Sequence, residues 1–290
     1  MKTIIIGSGY SGLNAYYEIK RDVKIVSLSN SFLFYTAYIR NLFDKKTRYL
    51  TELSFVSVDK IKDYDLKGKW VKGEKGEYIA DNLIIAAGCD RNEQINFINK
   101  LFSKEEISLG SENELDDYLV IQLSFYFRKM GKKVKYGGNY LRYLGSNVEH
   151  VIREEMEKKG IKNTEKAEDI LPFCKPSEPF QFFKVNEKLM FQNSFIIGDL
   201  ISGFPKLGEL AMRTGIYVGK MVKGIERKCF KPIFINIIDT GDSAIHIRSD
   251  KLWGGKIEIV KVSKIRQFMK RFIENYYILR KGKMGILYHL

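Results

Sequence analysis

The residues whose type and spacing most readily suggest chemistry are three glycines in the run Ile6-Gly7-Ser8-Gly9-Tyr10-Ser11-Gly12. In such a GxGxxG pattern the first glycine permits a tight turn out of a strand. The second lets a pyrophosphate approach the backbone, and the third lets helix and strand touch. The amides that open the following helix then face the phosphates with the positive end of the helix dipole. The segment Gln192-Asn-Ser-Phe195-Ile-Ile-Gly198-Asp199 is a second signal, a buried strand that stops at Gly-Asp. A carboxylate there can accept hydroxyls from a ribityl chain, while the helix that follows points its N-terminus at the same place. Taken alone, Asp199 reads at least as well as a simple helix cap; paired with Gly7 to Gly12, the binding role is favoured.

The elements that must position these residues follow from the surrounding pattern. Thr3 to Ile6 is an apolar β run, helix-forming sequence continues to Lys20, and a second strand spans Val23 to Leu28. This is the strand-turn-helix-strand setting that the glycine pattern requires. An aromatic segment from Phe32 to Tyr38, a short strand at Phe55 to Val58, and a buried strand running from Asp81 to Ala86-Ala87-Gly88 complete the first part. Small residues at that strand end leave room for a cofactor. Residues 91 to 117 read as a polar crossover into a second unit, with a strand at Tyr118 to Gln122, a strand at Lys133 to Tyr136 and a charged helix from about Asn147 to Lys159. Its first turn has no glycine, and the bulky Val120 to Phe127 side chains would keep a pyrophosphate out, which argues against a tightly bound nicotinamide dinucleotide.

Composition narrows the class. The 290 residues are 44% hydrophobic, enough for two ordinary domains, and no run approaches the length of a spanning helix. The apolar opening run is too short for a signal peptide. A net charge of +14 predicts anionic partners. No nucleic-acid module appears, and the charge is most orderly on the helix from Ser263 to Lys281, which argues against specific nucleic-acid binding. On that helix Ile265, Phe268, Met269, Phe272, Ile273, Tyr276 and Leu279 share one face, with Lys264, Arg266, Lys270, Arg271 and Arg280 among them. The stripe suits a membrane surface, and equally suits packing on the protein body or on a second subunit. Cys89, Cys174 and Cys229 are odd in number and widely spaced, fitting neither a disulfide framework nor a zinc site, and so point to a reducing, cytoplasmic setting. His150, His246 and His289 stand in no metal or triad spacing.

Taken together, the GSGYSG opening, the strand Tyr78 to Gly88 and the Phe195 to Asp199 segment resemble the three flavin signatures of the FAD-dependent pyridine nucleotide-disulfide oxidoreductases. The tail, with Ile238-Asp-Thr-Gly-Asp242-Ser-Ala244 and then Phe272 to Gly285, is similar to the end of sulfide:quinone oxidoreductases. Type II NADH dehydrogenases are the near relatives. The chain is shorter than those enzymes, and the similarity is strong over residues 1 to 90 and 180 to 285.

The resemblance implies an α/β fold of two Rossmann-like, three-layer dinucleotide-binding domains of the glutathione-reductase type, the second reduced, followed by a C-terminal β-hairpin and amphipathic helix. Residues 1–105 and 181–225 would form the FAD domain, 106–180 the reduced domain, and 226–290 a membrane-surface or dimer region. The cofactor contacts it implies are Gly7, Gly9, Tyr10, Ser11, Gly12, Ser29, Asn30, Thr36, Val58, Ala87, Gly88, Gly198 and Asp199. Ser29 and Asn30 stand where an acidic residue usually holds the adenosine ribose, so that hydrogen bond would be a weaker, neutral one. The family's sulfur chemistry needs two cysteines beside the flavin, and the aligned positions are Gln122 and Asn236, neither a sulfur nucleophile. Cys174 is the weak remaining candidate for catalysis, and the catalytic residue is otherwise unassigned. The resulting expectation is an FAD-dependent oxidoreductase passing electrons from an unidentified donor to a quinone, peripheral on the inner face of the cell membrane. A homodimer or a partner redox protein is the expected assembly, and no metal is expected. The alternative is a degenerate, non-catalytic relative acting as a binding or regulatory subunit.

Overall fold

The computed structural model describes residues 1–251 and 255–289. The chain divides into two compact units, the first built from residues 1–89, 176–231 and 273–290, the second from 90–175 and 232–272. Residues 90–105 thus fold with the second unit, and 226–290 is divided between the two rather than standing as a region of its own. Among the described residues the α-helices are α1 (Tyr10–Ile19), α2 (Tyr35–Asp44), α3 (Asn92–Leu101), α4 (Asp117–Lys129), α5 (Ser146–Lys158), α6 (Gly208–Val222) and α7 (Lys264–Leu279).

The first unit is organised on a six-stranded sheet in the order Met190–Phe191, Ser194–Ile196, Asn82–Ile85, Thr3–Ile6, Val23–Ser27, Val56–Val58. Every pairing is parallel except that of Met190–Phe191. The central strand is the most apolar, with Ile4 and Ile5 fully buried, because a parallel strand with both faces covered offers water no side. α6 lies against α1 at backbone distance: a Cβ on Gly215 would come 2.1 Å from the carbonyl oxygen of Ser11. The end of the chain is fastened to α1 by Asn14, whose amide donates to the carbonyls of Tyr10 and Gly282 and accepts from the Met284 amide, at 2.8 to 2.9 Å. Since Asn14 is only 2% exposed, these bonds face no competition from water.

The second unit carries a four-stranded parallel sheet in the order Lys162–Asn163, Lys133–Tyr136, Glu106–Ser111, Asp169–Leu171. Its first strand is Glu106–Ser111; the Tyr118 to Gln122 segment, read from sequence as that strand, is instead the first half of α4. The physical reason is burial on nearly all sides. Residues 119 to 127 are continuously buried, so the helix shows no polar face and its apolar run imitates a core strand. The hairpin-like stretch read at residues 232–247 and then 256–260 forms an antiparallel sheet of Phe234–Asp239, Ala244–Ser249 and Glu258–Ser263. Gln122 ties α4 to this sheet, donating to the Asp239 carbonyl at 2.8 Å and accepting from the Asp239 amide at 2.9 Å.

Candidate cofactor site

All thirteen residues expected to contact a cofactor lie in the first unit, and all but Thr36, in the first turn of α2, are in or just after the C-terminal ends of its parallel strands. Gly7 turns the chain out of the central strand at φ +108°, a conformation that only glycine adopts without strain. A Cβ there would lie 2.3 Å from the carbonyl oxygen of Ala86, and one on Gly12 would lie 1.9 Å from that of Gly7. Both glycines are therefore needed for packing, whatever the site binds. Gly9 differs: a Cβ at that position would meet nothing within 4 Å. It also forms the N-cap of α1, whose first turn carries no acidic residue and no side-chain cap. The opening amides of a helix, unpaired within it and bordered by open space, make a cradle that suits a phosphate group.

Several of the remaining residues tie back to this turn, whereas Asn30 and Val58 stand apart from it. Gly198 sits against Ser11, since a Cβ on Gly198 would come 2.5 Å from Ser11 Oγ. The amide of Gly198 donates to Thr214 Oγ1 at 3.0 Å, and Thr214, fully buried on α6, thereby holds the Gly198-Asp199 turn in place. Tyr10 packs edge-on against Phe32 and Phe34, with ring centroids 5.5 Å away in both cases, and its Oη accepts from the Thr36 amide at 3.4 Å. Ala87 and Gly88 present carbonyls to Ser177, whose Oγ donates to Ala87 and whose amide donates to Gly88, both at 3.1 Å. Ser8 Oγ donates to the Ser29 carbonyl at 3.3 Å, and Ser29 Oγ shares a 2.7 Å hydrogen bond with Ser31 Oγ. Asn30 is exposed and uses its carbonyl to accept from Leu53. Val58, in register with Ser27 at the sheet edge, is 39% exposed.

Two residues near this turn carry no signal in the sequence. Thr214 carries no local motif, because its role depends on α6 lying beside the Gly198 turn. Lys206 is 4% exposed, donates to the Ile201 carbonyl at 2.8 Å and stands 4.6 Å over the Phe182 ring. It places a buried positive charge immediately before α6, and an aromatic face helps to offset its desolvation. A lysine between Pro205 and Leu207 in a loop gives no sequence signal of burial.

The cysteines correct the expectation that none is bridged. Cys89 and Cys174 are both disulfide-bonded, and Cys174 is 2% exposed. Cys89 follows Gly88 directly, and its sulfur lies 3.9 Å from the carbonyl oxygen of Asp199. Cys229 is exposed and free, 3.0 Å from Glu187 Oε2. The hydrogen bond to that carboxylate, followed by burial, pushes the thiol above its ordinary range, which makes it a poor nucleophile. Gln122 is a structural bracket, and Asn236 lies within the antiparallel sheet opposite Ile247. No cluster of potential metal ligands occurs among the described residues.

In the second unit the turn that would hold a second dinucleotide runs from Ser111 to Asp117 and contains Glu112, Glu114, Asp116 and Asp117. The bulky Val120 to Phe127 side chains lie within α4, beyond this turn, so what the turn itself carries is acidic side chains, those of Asp116 and Asp117 buried.

No protein-family model matches the chain, and no curated protein matches it. Solved structures do. The sulfide:quinone oxidoreductase of the hyperthermophilic bacterium Aquifex aeolicus superposes with a TM-score of 0.78 at 15% identity, over 98% of this chain and 93% of that one. The shortening expected from the sequence thus leaves almost all of that fold in place. The NAD-dependent persulfide reductase of A. fulgidus gives 0.61 at 13% identity over 86% and 64%. The NADH:rubredoxin oxidoreductase of Clostridium acetobutylicum gives 0.58 at 14% identity over 93% of both chains. The likeness is one of fold, and it is the fold of pyridine nucleotide-disulfide oxidoreductases that the sequence resembles.

Proposed function

We propose that the chain is an FAD-dependent oxidoreductase that takes electrons from a sulfur donor and passes them to a quinone at the cytoplasmic face of a membrane. The observation that carries the reading is the open cradle at Gly9, bordered by the uncapped start of α1 and by the Gly198-Asp199 turn seated on Ser11. Gly9 and the first amides of α1 would hold the pyrophosphate, Asp199 the ribityl hydroxyls, and Ser29 with Asn30 the ribose. Thr36, Val58, Ala87 and Gly88 would border the cofactor, with Tyr10 packing beneath Thr36. When bound, FAD supplies two-electron redox chemistry; the chain supplies position and electrostatics.

A sulfur donor is favoured over a nicotinamide because carboxylates crowd the second unit's turn, whereas Cys89 carries oxidised sulfur beside the Asp199 carbonyl. A sulfide anion attacking that disulfide would form a new sulfur-sulfur bond and release one thiolate, so charge and atoms balance.

α7 supports the membrane part of the reading. Its polar residues Lys270 and Glu274 are buried, while Ile265, Phe268, Phe272 and Leu279 are each more than 60% exposed. Lys270 reaches Gln122 Oε1 at 2.5 Å. A helix that turns charge inward and a spaced apolar stripe outward suits a lipid surface, and the +14 chain charge favours an anionic one. No helix among the described residues is long and apolar enough to cross a membrane.

The decisive experiment is an absorbance spectrum of the purified protein with added FAD, followed by anaerobic addition of sulfide or NADH and then a soluble quinone. Bound flavin that sulfide bleaches and quinone restores is the expected result. Failure to bind FAD in excess overturns the reading in favour of a non-catalytic relative, and bleaching by NADH alone overturns the choice of donor.

A further inference from the structure

We infer that the cavity at the C-terminal edge of the second unit's parallel sheet is a binding site for a small organic cation, with Asp117 as its principal acceptor. The cavity has a volume of about 350 Å³, within the range of small-molecule sites. It is bounded by the turn after Glu106–Ser111, by Gly137 and Gly138 after the next strand, and by the loop after Lys162–Asn163.

Three carboxylates line it, those of Glu114, Asp117 and Glu165, against one guanidinium, that of Arg153. The guanidinium already has partners: it stands 4.3 Å over the Tyr140 ring and donates to Glu149 at 2.9 Å. In a chain of net charge +14 this is a local reversal of sign, and it selects for positive ligands.

Asp117 points to a ligand independently of the charge count. It is 1% exposed, and its Oδ2 accepts from Tyr136 Oη at 2.6 Å and from the Leu141 amide at 3.4 Å. Its Oδ1 is buried and accepts no hydrogen bond of ordinary geometry among the described residues, although the Asn139 amide lies near enough to the carboxyl to favour its charged form. An acidic residue in the first turn of a helix is ordinary, because it faces the positive end of the dipole. Leaving one oxygen of a buried carboxylate unsatisfied is not, because its desolvation then goes uncompensated. Gly138 lies directly over that oxygen, since a Cβ on it would come 2.4 Å from Asp117 Oδ1. Any other residue at 138 would press a side chain onto the carboxylate. An ammonium group entering the cavity supplies the compensating charge, and it supplies the missing donor as well where the Gly138 turn yields to admit it. Tyr140, whose Oη donates to Asn163 Oδ1 at 2.9 Å, holds the rim residue Asn163 in place. A dinucleotide is disfavoured here because its phosphates would face the same carboxylates.

The test is calorimetric titration of the full-length protein at low salt with 1,4-diaminobutane, with butane-1,4-diol as the neutral compound of equal length and NADH as the anionic one. The expected result is saturable one-to-one binding of the diamine and about ten-fold or greater preference over the diol. Asp117→Asn is expected to lose about ten-fold in affinity. Glu165→Gln, on the exposed rim where it cannot disturb the core, is expected to lose about two- to five-fold. If Asp117→Asn does not fold, the double variant Glu114→Gln with Glu165→Gln decides. Non-saturable heats, equal affinity for the diol, binding of NADH in the diamine's place, or unchanged affinity in the rim variants would each overturn the inference. The readout is independent of flavin, so non-saturable heats, equal affinity for the diol or unchanged rim variants leave the proposed redox function untouched, whereas binding of NADH would also count against the sulfur donor.

Discussion

Arg40 on α2 and Glu274 on α7 form an ion pair, Nε to Oε2 at 2.9 Å, with side chains only 6% and 4% exposed. Two charges withdrawn from water are held by mutual attraction, and removing one strands the other. Glu274→Ala is therefore expected to destabilise the protein by about 3–5 kcal/mol in denaturant unfolding. Replacing both by leucine is expected to recover most of the loss, because the apolar pair leaves no stranded charge. Equal loss in the single and double variants would show that shape rather than charge is at stake.

Gly9 and Gly12 belong to the same motif, yet their substitution should have opposite signatures. A Cβ on Gly12 would collide with the Gly7 carbonyl, so Gly12→Ala is expected to cost on the order of 3 kcal/mol of stability with or without FAD. A Cβ on Gly9 meets no protein atom, so Gly9→Ala is expected to lower the apoprotein's melting temperature by no more than a few degrees, the cost of a poorer N-cap, and to weaken FAD about ten-fold or more. Melting curves with and without FAD separate the two. A Gly9→Ala protein that bound FAD normally would count against the proposed pyrophosphate position.

The exposed stripe of α7 predicts the response to lipid. Phe268→Ser with Phe272→Ser is expected to reduce sedimentation with anionic vesicles by at least about ten-fold while changing thermal stability little, since both side chains are more than 60% exposed. Binding should also weaken with added salt, as basic residues contact anionic headgroups. Undiminished binding of the variant would redirect attention to another surface.

His246 offers a pH test within the second unit. Burial, and then the positive charges of Arg266, Arg248 and Lys261, lower its pKa to about 4. Because the folded value lies below the unfolded one, falling pH protonates the unfolded chain first. Stability is therefore expected to drain between about pH 6.5 and 4. A His246→Gln variant should show a shallower loss across that window, and the imidazole resonance of the native protein should titrate near 4. Titration near 6.5 would show that the ring is better solvated than its place in the sheet implies.

How much was legible in the sequence depended on how local the physics is. The turn at Gly7 to Gly12, the strand behind it and the Gly198-Asp199 stop were legible because each is a short-range steric or capping constraint. α4 was not: Leu119 to Phe127 is buried on nearly every side, and a helix with no wet face loses the periodicity that distinguishes it from a strand. The apolar stripe of α7 was legible as a stripe, but its direction was not, since Lys270 and Glu274 go inward only because Gln122 and Arg40 await them.

By itself, the sequence determined the order of the elements, the glycines that let a helix start close to a sheet and an excess of positive charge. Backbone sterics and composition need no partner far along the chain. Long-range packing was needed to establish that Thr214 holds the Gly198 turn, that Lys206 is buried, that Cys89 and Cys174 are oxidised and that one oxygen of Asp117 finds no donor of ordinary geometry among the described residues. Each of these depends on residues far apart in sequence meeting where water is excluded, which is where a single hydrogen bond or charge matters most.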